Sequence, residues 1–226
     1  MKLYDCRLTF HDNLFYETRT MGRLYETGRL LHNIALTYAL GLATTEYHHP
    51  TDAPAYTEEL AALNEAGVYV TPATGLDVRY VLHTFKLGDE RTSVFMEKSN
   101  RNIPTYGRAK EIAVNSQFRF GVLSPIDLTL PRWIRMGLWL SKAKLEVTAV
   151  IPMRHELQRM TRRVDDYPLN PGDLSDPNTL RSFDLVSMRP TNLVEHAEIE
   201  TDEWWVSDIS GTKIILPAGL QYRTSR

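Results

Sequence analysis

The sequence predicts an α+β protein: a ferredoxin-like βαββαβ unit over residues 1–152, with a small β-rich extension over 153–226 packed on it. Three observations carry this. From Lys2 to Phe10 the chain alternates, with Tyr4, Cys6, Leu8 and Phe10 on one face and Asp5, Arg7 and Thr9 on the other, the period of a half-buried strand. From about Arg29 to Leu42, Leu30/Leu31, Ile34/Ala35, Tyr38 and Leu42 recur at three- and four-residue spacing, the stripe of a helix lying on a sheet. Strand-like runs then return at Asp77–Leu87, Phe118–Leu123 and Lys144–Pro152, in the order such a unit requires.

Between the first strand and the first helix lies a long, basic, aromatic loop (Phe15, Tyr16, Arg19, Arg23, Tyr25) at a sheet edge, where a domain of this type meets a ligand. Thr27 is the expected N-cap of the helix. Residues 43–76 form an insertion: ATTEYHHPTDAPAY is a loop, Thr57 opens the short helix TEELAALNEAG, Gly67 closes it, and Val68–Val70 is short and β-rich. GDE at 88–90 turns the chain. The polar stretch that follows, broken by Pro104 and Gly107, reads as a protruding hairpin thumb over about 88–116, and loops of that length are usually functional.

LTLPRWIRMGLWLSKAK, 128–144, predicts the second helix, with Pro131 at a first helical position and Trp133/Ile134, Leu138 and Leu140 at helical spacing. Arg154–Val164 reads as a short basic helix with Leu157, Met160 and Val164 inward and Arg159, Arg162 and Arg163 outward. After the turn-rich DDYPLNPGDLSDPNT come strand-like runs at Phe183–Met188, Leu193–Ile199, Trp204–Ile209 and Lys213–Leu216.

The bulk composition excludes several classes. Apolar content of 42% and charged content of 24% over 226 residues are ordinary globular values. No apolar run reaches membrane-spanning length, and MKLYDCRLTF carries charge where a signal peptide needs a hydrophobic region. The single cysteine, Cys6, rules out an internal disulfide and suits a reducing cytoplasm. The net charge of −2 hides a split: from Val164 onward there are 11 acids and 5 bases, leaving 17 and 21 before it. A mildly basic first part with an acidic tail suits a subunit that touches RNA on one side and protein on the other, as it suits many other proteins.

Catalytic signatures are missing. There is no GxxxxGK(S/T) loop and no GxGxxG fingerprint, and no cofactor is expected. His155-Glu156 begins like HExxH, but Arg159 stands where the second histidine would be. His11-Asp12 lacks the further ligands a metal hydrolase needs. His48-His49 near Glu46 and Asp52 read as a solvated loop rather than a metal clamp, Cys6 as a core thiol. Trp133 and Trp139 are expected in the core or facing a partner. Trp204-Trp205 point to opposite faces of a strand. The acidic run Glu195, Glu198, Glu200, Asp202 and Glu203 is either a solvated face or a docking edge for another subunit.

What remains is an RNA-type surface, on which aromatics stack bases while Arg, Lys and amides take phosphate and sugar. The candidates are Arg19, Arg23 and Tyr25 in the first loop; His32 and Asn33 on the first helical turn, where free N–H groups favour phosphate; and Lys98, Arg101, Asn102, Tyr106, Arg108 and Lys110 on the thumb. Each also has a plain reading as solvated surface.

The stretch NLFYETRTMGRLYETGRLLHNIALTYALGL and the closing LPAGLQYR resemble the Csc-one subunit of type I-D CRISPR effector complexes, a group of Cas-five-like RAMP proteins. The resemblance implies a palm with a hairpin thumb that grips RNA and a neighbouring backbone subunit. It implies a non-catalytic scaffold that caps the five-prime handle of CRISPR RNA, beside the backbone and large subunits of a surveillance complex for invading DNA. Contact with target DNA near its flanking motif is left open. Two alternatives stand beside it: a metal-independent RNA endonuclease using His83, Lys86 and Tyr106, as in some relatives, and a protein-only adaptor.

Overall fold

The computed structural model describes residues 1–43, 55–87, 105–176, 179–209 and 212–223. Its centre is a seven-stranded sheet built on β1 (Lys2–Phe10), whose alternation places Cys6, Leu8 and Phe10 in the core. β9 (Gln117–Ser124) pairs antiparallel with one edge of β1 and β11 (Ser141–Pro152) with the other. Beyond β9 lie β6 (Ala73–Asp77) and β4 (Leu30–Leu31), with β5 (Tyr69–Val70) also on β9; beyond β11 lies β10 (Trp133–Met136). The strand order is therefore β10-β11-β1-β9-β6-β4.

Two further sheets attach to this one. The hairpin sheet joins β2 (Arg19–Met21), β3 (Leu24–Glu26), β8 (Thr105–Ile112) and β7 (Tyr80–Leu87) in that order. The C-terminal sheet is laid along one 17-residue strand, β14 (Leu193–Ile209), flanked by β12 (Arg154–Val164), β13 (Leu180–Val186) and β15 (Thr212–Pro217). The two runs expected at 193–199 and 204–209 are thus one strand. A continuous core joins the first and last parts, from Leu3 and Phe120 to Trp204, Ile214 and Tyr222.

The fold is mixed α+β and mostly sheet. The first helix, α1 (Asn33–Ala39), is shorter than expected because Leu30 and Leu31 pair with Thr74 and Ala73 instead of starting it. Its N-cap is His32, whose ring accepts the Ile34 N–H; Thr27 is buried and exchanges hydrogen bonds with the backbone of Tyr16. The short helix near 57–67 forms as expected, as α2 (Tyr56–Glu59) and α3 (Ala61–Ala66), stopped by Gly67 at φ +67°.

Two expected helices are strands. In 128–144, Ile134 and Met136 point inward and Trp133 and Arg135 outward, the period of β10. Gly137, at φ +79°, reverses the chain; a Cβ there would lie 2.5 Å from Leu14 and 2.8 Å from the Phe15 carbonyl. The extended segment before β10 takes the place of the helix, with Leu128 and Leu130 on the core and the Leu128 N–H on the Tyr4 hydroxyl at 2.9 Å. The basic helix at 154–164 is β12, paired along β14, and Leu157, expected inward, is 74% exposed. No helix among the described residues is long and apolar enough to cross a membrane.

Candidate nucleic-acid interface

β7 and β8 form an antiparallel ladder from Tyr80 opposite Ile112 to Leu87 opposite Thr105. β3 adds to β8 in parallel, Leu24 beside Arg108 and Glu26 beside Lys110, and β2 folds back on β3. Paired residues share a face and successive residues alternate, so the registers sort the side chains. One face presents Tyr80, Leu82 and Thr84 from β7, Tyr106, Arg108 and Lys110 from β8, Glu26 from β3 and Arg19 from β2. The other presents His83, Phe85, Gly107, Glu111 and Tyr25.

The first face mixes cations with rings. Arg19 Nε donates to Glu26 at 2.9 Å and Lys110 Nζ to the same carboxylate at 3.4 Å; the Arg19 hydrogen bond, with Lys110 beside it, holds the Glu26 carboxyl below the usual range. Lys110 Nζ also sits 4.2 Å from the centre of the Tyr80 ring, a cation–π contact that fixes both groups. Tyr106 is 57% exposed and Leu82 53%. Arg108 is exposed and has no acidic partner among the described residues. Exposed rings interleaved with cations are the equipment of a surface that stacks bases and binds phosphates.

On the opposite face Phe85 lies across Gly107, where a Cβ would come within 2.6 Å of its ring; Tyr25 approaches Phe85 at 5.8 Å between ring centres. His83 Nδ1 stands 3.5 Å from Oε1 of the buried Glu111, and that oxygen has no hydrogen-bond partner among the described residues.

The structure brings together Arg19, Tyr106, Arg108 and Lys110. Tyr25 belongs to the other face. Arg23 sits exposed in the β2–β3 turn, its carbonyl accepting the Arg108 N–H at 2.8 Å. Lys98, Arg101 and Asn102 lie outside the described residues, as do the Lys86 side chain and the loop of His48 and His49. Tyr80 and Leu82 were missed, although the alternation of YVLHTFKL places them with Thr84 on one face.

His32 and Asn33 are a correction: neither faces solvent. His32 hydrogen-bonds Thr191 at 2.9 Å, and burial pushes its imidazole down to about 4, so it is neutral. Asn33 donates to Asp173 at 2.7 Å and to the Tyr69 hydroxyl at 3.3 Å, and burial raises the Asp173 carboxyl to about 6. The β12 arginines are matched by acids, Arg159 with Glu200 at 3.0 Å, Arg162 with Glu156 at 2.6 Å and Arg163 with Asp165 at 2.9 Å. The acidic run is used in part within the fold: Glu195 is buried against Arg29, and Glu203 meets His155 at 3.2 Å. Trp204 is in the core, whereas Trp133 and Trp139 are exposed. Cys6 is buried, its thiol pushed up to about 12 by desolvation. No group of three or more His, Cys, Asp or Glu among the described residues could hold a metal ion.

No curated protein sequence matches the chain. Among the solved structures that resemble it remotely are the following two. A chain of the type III-B Cmr-beta complex, bound to cognate target RNA and AMPPnP, is 9% identical at a TM-score of 0.46, covering 87% of this chain and 86% of its own. A CRISPR protein from Archaeoglobus fulgidus is 12% identical at a TM-score of 0.36, covering 96% of this chain and 100% of its own. The family model described as type I-D CRISPR-associated protein Cas5/Csc1 matches residues 1–225, and the chain belongs to that family.

Proposed function

We propose that the chain is a non-catalytic scaffold subunit that binds CRISPR RNA and caps its five-prime handle within a cytoplasmic type I-D surveillance complex. Membership of the family makes it a CRISPR effector subunit. The observation that carries the finer reading is the cation-and-ring face of the hairpin sheet: Arg19, Tyr80, Tyr106, Arg108 and Lys110 on one surface, with Glu26 tethering two of the cations. We read the main sheet as ferredoxin-like. Its antiparallel order β11-β1-β9-β6 supports this, with α1 as the first crossover and the extended segment before β10 in place of the second helix. On this reading guide pairing supplies target specificity, while the protein holds the handle by shape and backbone. The backbone and large subunits are its protein partners.

Ultraviolet cross-linking of the reconstituted effector complex, with modified peptides read by mass spectrometry, tests this. Cross-links from the handle to 19–26 and 80–110 are expected. Assembly of the complex without any RNA cross-link to this chain would leave only the protein adaptor, for which binding would be insensitive to salt. His83 beside Glu111 favours a second reading as a metal-independent endonuclease, because a buried carboxylate 3.5 Å from an exposed imidazole orients a general base. Handle cleavage that persists in EDTA and is lost in His83→Ala would establish it.

A further inference from the structure

The outer face of the main sheet is used over half its width. At one end Leu3 and Gly121 are buried under Tyr167, and Arg119 is tied to Asp5 at 2.7 Å and to the Tyr167 hydroxyl at 3.3 Å. At the other end nothing among the described residues covers it. There β10 and β11 place Trp133 opposite Lys144 and Arg135 opposite Lys142, and β1 adds Arg7 and Thr9 on the same face.

This open half concentrates positive charge in a chain whose net charge is −2. Arg7, Arg132, Arg135, Lys142 and Lys144 stand here against Glu146, which Lys144 meets at 2.5 Å and whose carboxyl the Lys144 hydrogen bond, with Arg7 and Arg132 nearby, holds below the usual range; Asp5, next along the face from Arg7, is taken up by Arg119 and the Tyr167 hydroxyl. Asp12 at the rim accepts the Lys142 backbone N–H at 2.9 Å. Arg7, Arg132 and Arg135 are exposed. Lys142 Nζ stands 4.2 Å over the Trp133 ring, the His11 ring packs edge-on at 5.0 Å, and Trp133 remains 45% exposed. An indole held in place by a cation and a ring, yet open to solvent, is a stacking platform set among phosphate-binding groups. No residue here is shared with the hairpin face.

We propose that this open half of the outer sheet face is a second nucleic-acid surface, which takes a single-stranded segment by stacking one base on Trp133 and neutralising its phosphates with Arg135, Lys142, Lys144 and Arg7. Charge complementarity selects a polyanion. The exposed indole selects a single strand, because a duplex keeps its base faces stacked inside. Cations two residues apart along β11 lie about 6.6 Å apart, a rigid ladder of charges without a pocket, so binding is tolerant of sequence.

The test is fluorescence anisotropy with the full chain, a labelled oligo-uridine strand and a labelled duplex, over a series of salt concentrations. For the single strand, Arg135→Glu with Lys142→Glu is expected to lower the salt slope by about 2. Trp133→Ala should weaken it about ten-fold while Trp133→Phe retains most of the affinity. The duplex should be little affected. An unchanged slope and affinity in both variants, equal losses for strand and duplex, or no binding of the strand by the unaltered chain would overturn the inference. A parallel pair, Arg108→Glu with Lys110→Glu, separates the surfaces. Loss confined to that pair refutes this surface and leaves the handle reading intact; loss confined to the outer-face variants does the reverse.

Discussion

The hairpin sheet and the C-terminal sheet are made of similar residues put to opposite ends. Both alternate charged and apolar side chains on largely antiparallel strands. In the C-terminal sheet the arginines are matched: Arg159 and Arg181 converge on Glu200 at 3.0 and 2.9 Å, and Arg162 takes Glu156 while stacking 5.3 Å from Trp204. In the hairpin sheet one carboxylate, Glu26, serves both Arg19 and Lys110, while Arg23 and Arg108 have no acid among the described residues. A basic strand faced by an acidic one is a neutral lattice of modest worth to stability. Cations without acids keep their field for a ligand. What separates a structural sheet from a binding sheet here is how completely charge is matched, rather than how much there is.

The largest effect should come from the packed side of the C-terminal sheet. Trp204 is fully buried, and Trp204→Ala should cost about 3–5 kcal/mol in urea unfolding. Tyr106→Ala on the hairpin should stay within about 0.5 kcal/mol. Comparable losses from the two would break the comparison, because the hairpin would then be structural.

The C-terminal region also grips α1 through buried groups that titrate, through Thr191 on His32 and Asp173 on Asn33. The signs oppose. Below the ordinary imidazole value the unfolded chain binds a proton that native His32, at about 4, refuses, so that group makes stability rise with pH from about 4 to 6.5. Native Asp173, at about 6, holds a proton that the unfolded chain releases near 4, so that group makes stability fall with pH across 4 to 6. Each contribution is roughly 3 kcal/mol, so these two nearly cancel one another between pH 4 and 6. Asp173→Asn should leave a stability that climbs with pH, and His32→Gln one that falls, as read from urea midpoints between pH 4 and 6.5; parallel slopes in the two would remove the assignment.

Smaller effects sharpen the contrast in charge. Arg108→Ala should reduce the salt slope of RNA binding by about 1 and leave the unfolding midpoint in place. Arg159→Gln, on a matched arginine, should change neither measurably, and a double-mutant cycle with Glu200→Gln would expose any hidden coupling. An RNA defect in Arg159→Gln equal to that of Arg108→Ala would show that matching does not silence a cation.

Much of the fold was legible because its signals are local. The alternation of 2–10, the strand near 118–123 and the helix ended by Gly67 each rest on a few neighbouring residues. The 128–144 and 154–164 stretches were misread because a short run of mixed charged and apolar residues fits both helical and strand periods. Pairing decides there, Trp133 against Lys144 and Arg163 against Glu198, and pairing is remote in sequence. The site divides the same way. Arg108 and Lys110 were visible as cations on a hairpin, whereas the burial of His32 and Asn33 depends on Thr191 and Asp173, 159 and 140 residues away.

Tyr222 carries a consequence for synthesis. Its hydroxyl meets Thr37 at 2.7 Å and the Val70 N–H at 2.9 Å, and its backbone N–H reaches Asn64 at 2.8 Å. The polar network around α1 therefore stays incomplete until residue 222 has been translated. At roughly 5–20 residues per second, the interval from the end of α1 is about 10–40 s. Until then the Thr37 hydroxyl, the Val70 N–H and the Tyr69 ring wait for their final partner, so a chaperone that shelters unfinished surface should associate with this protein on the ribosome and leave only once residue 222 has emerged.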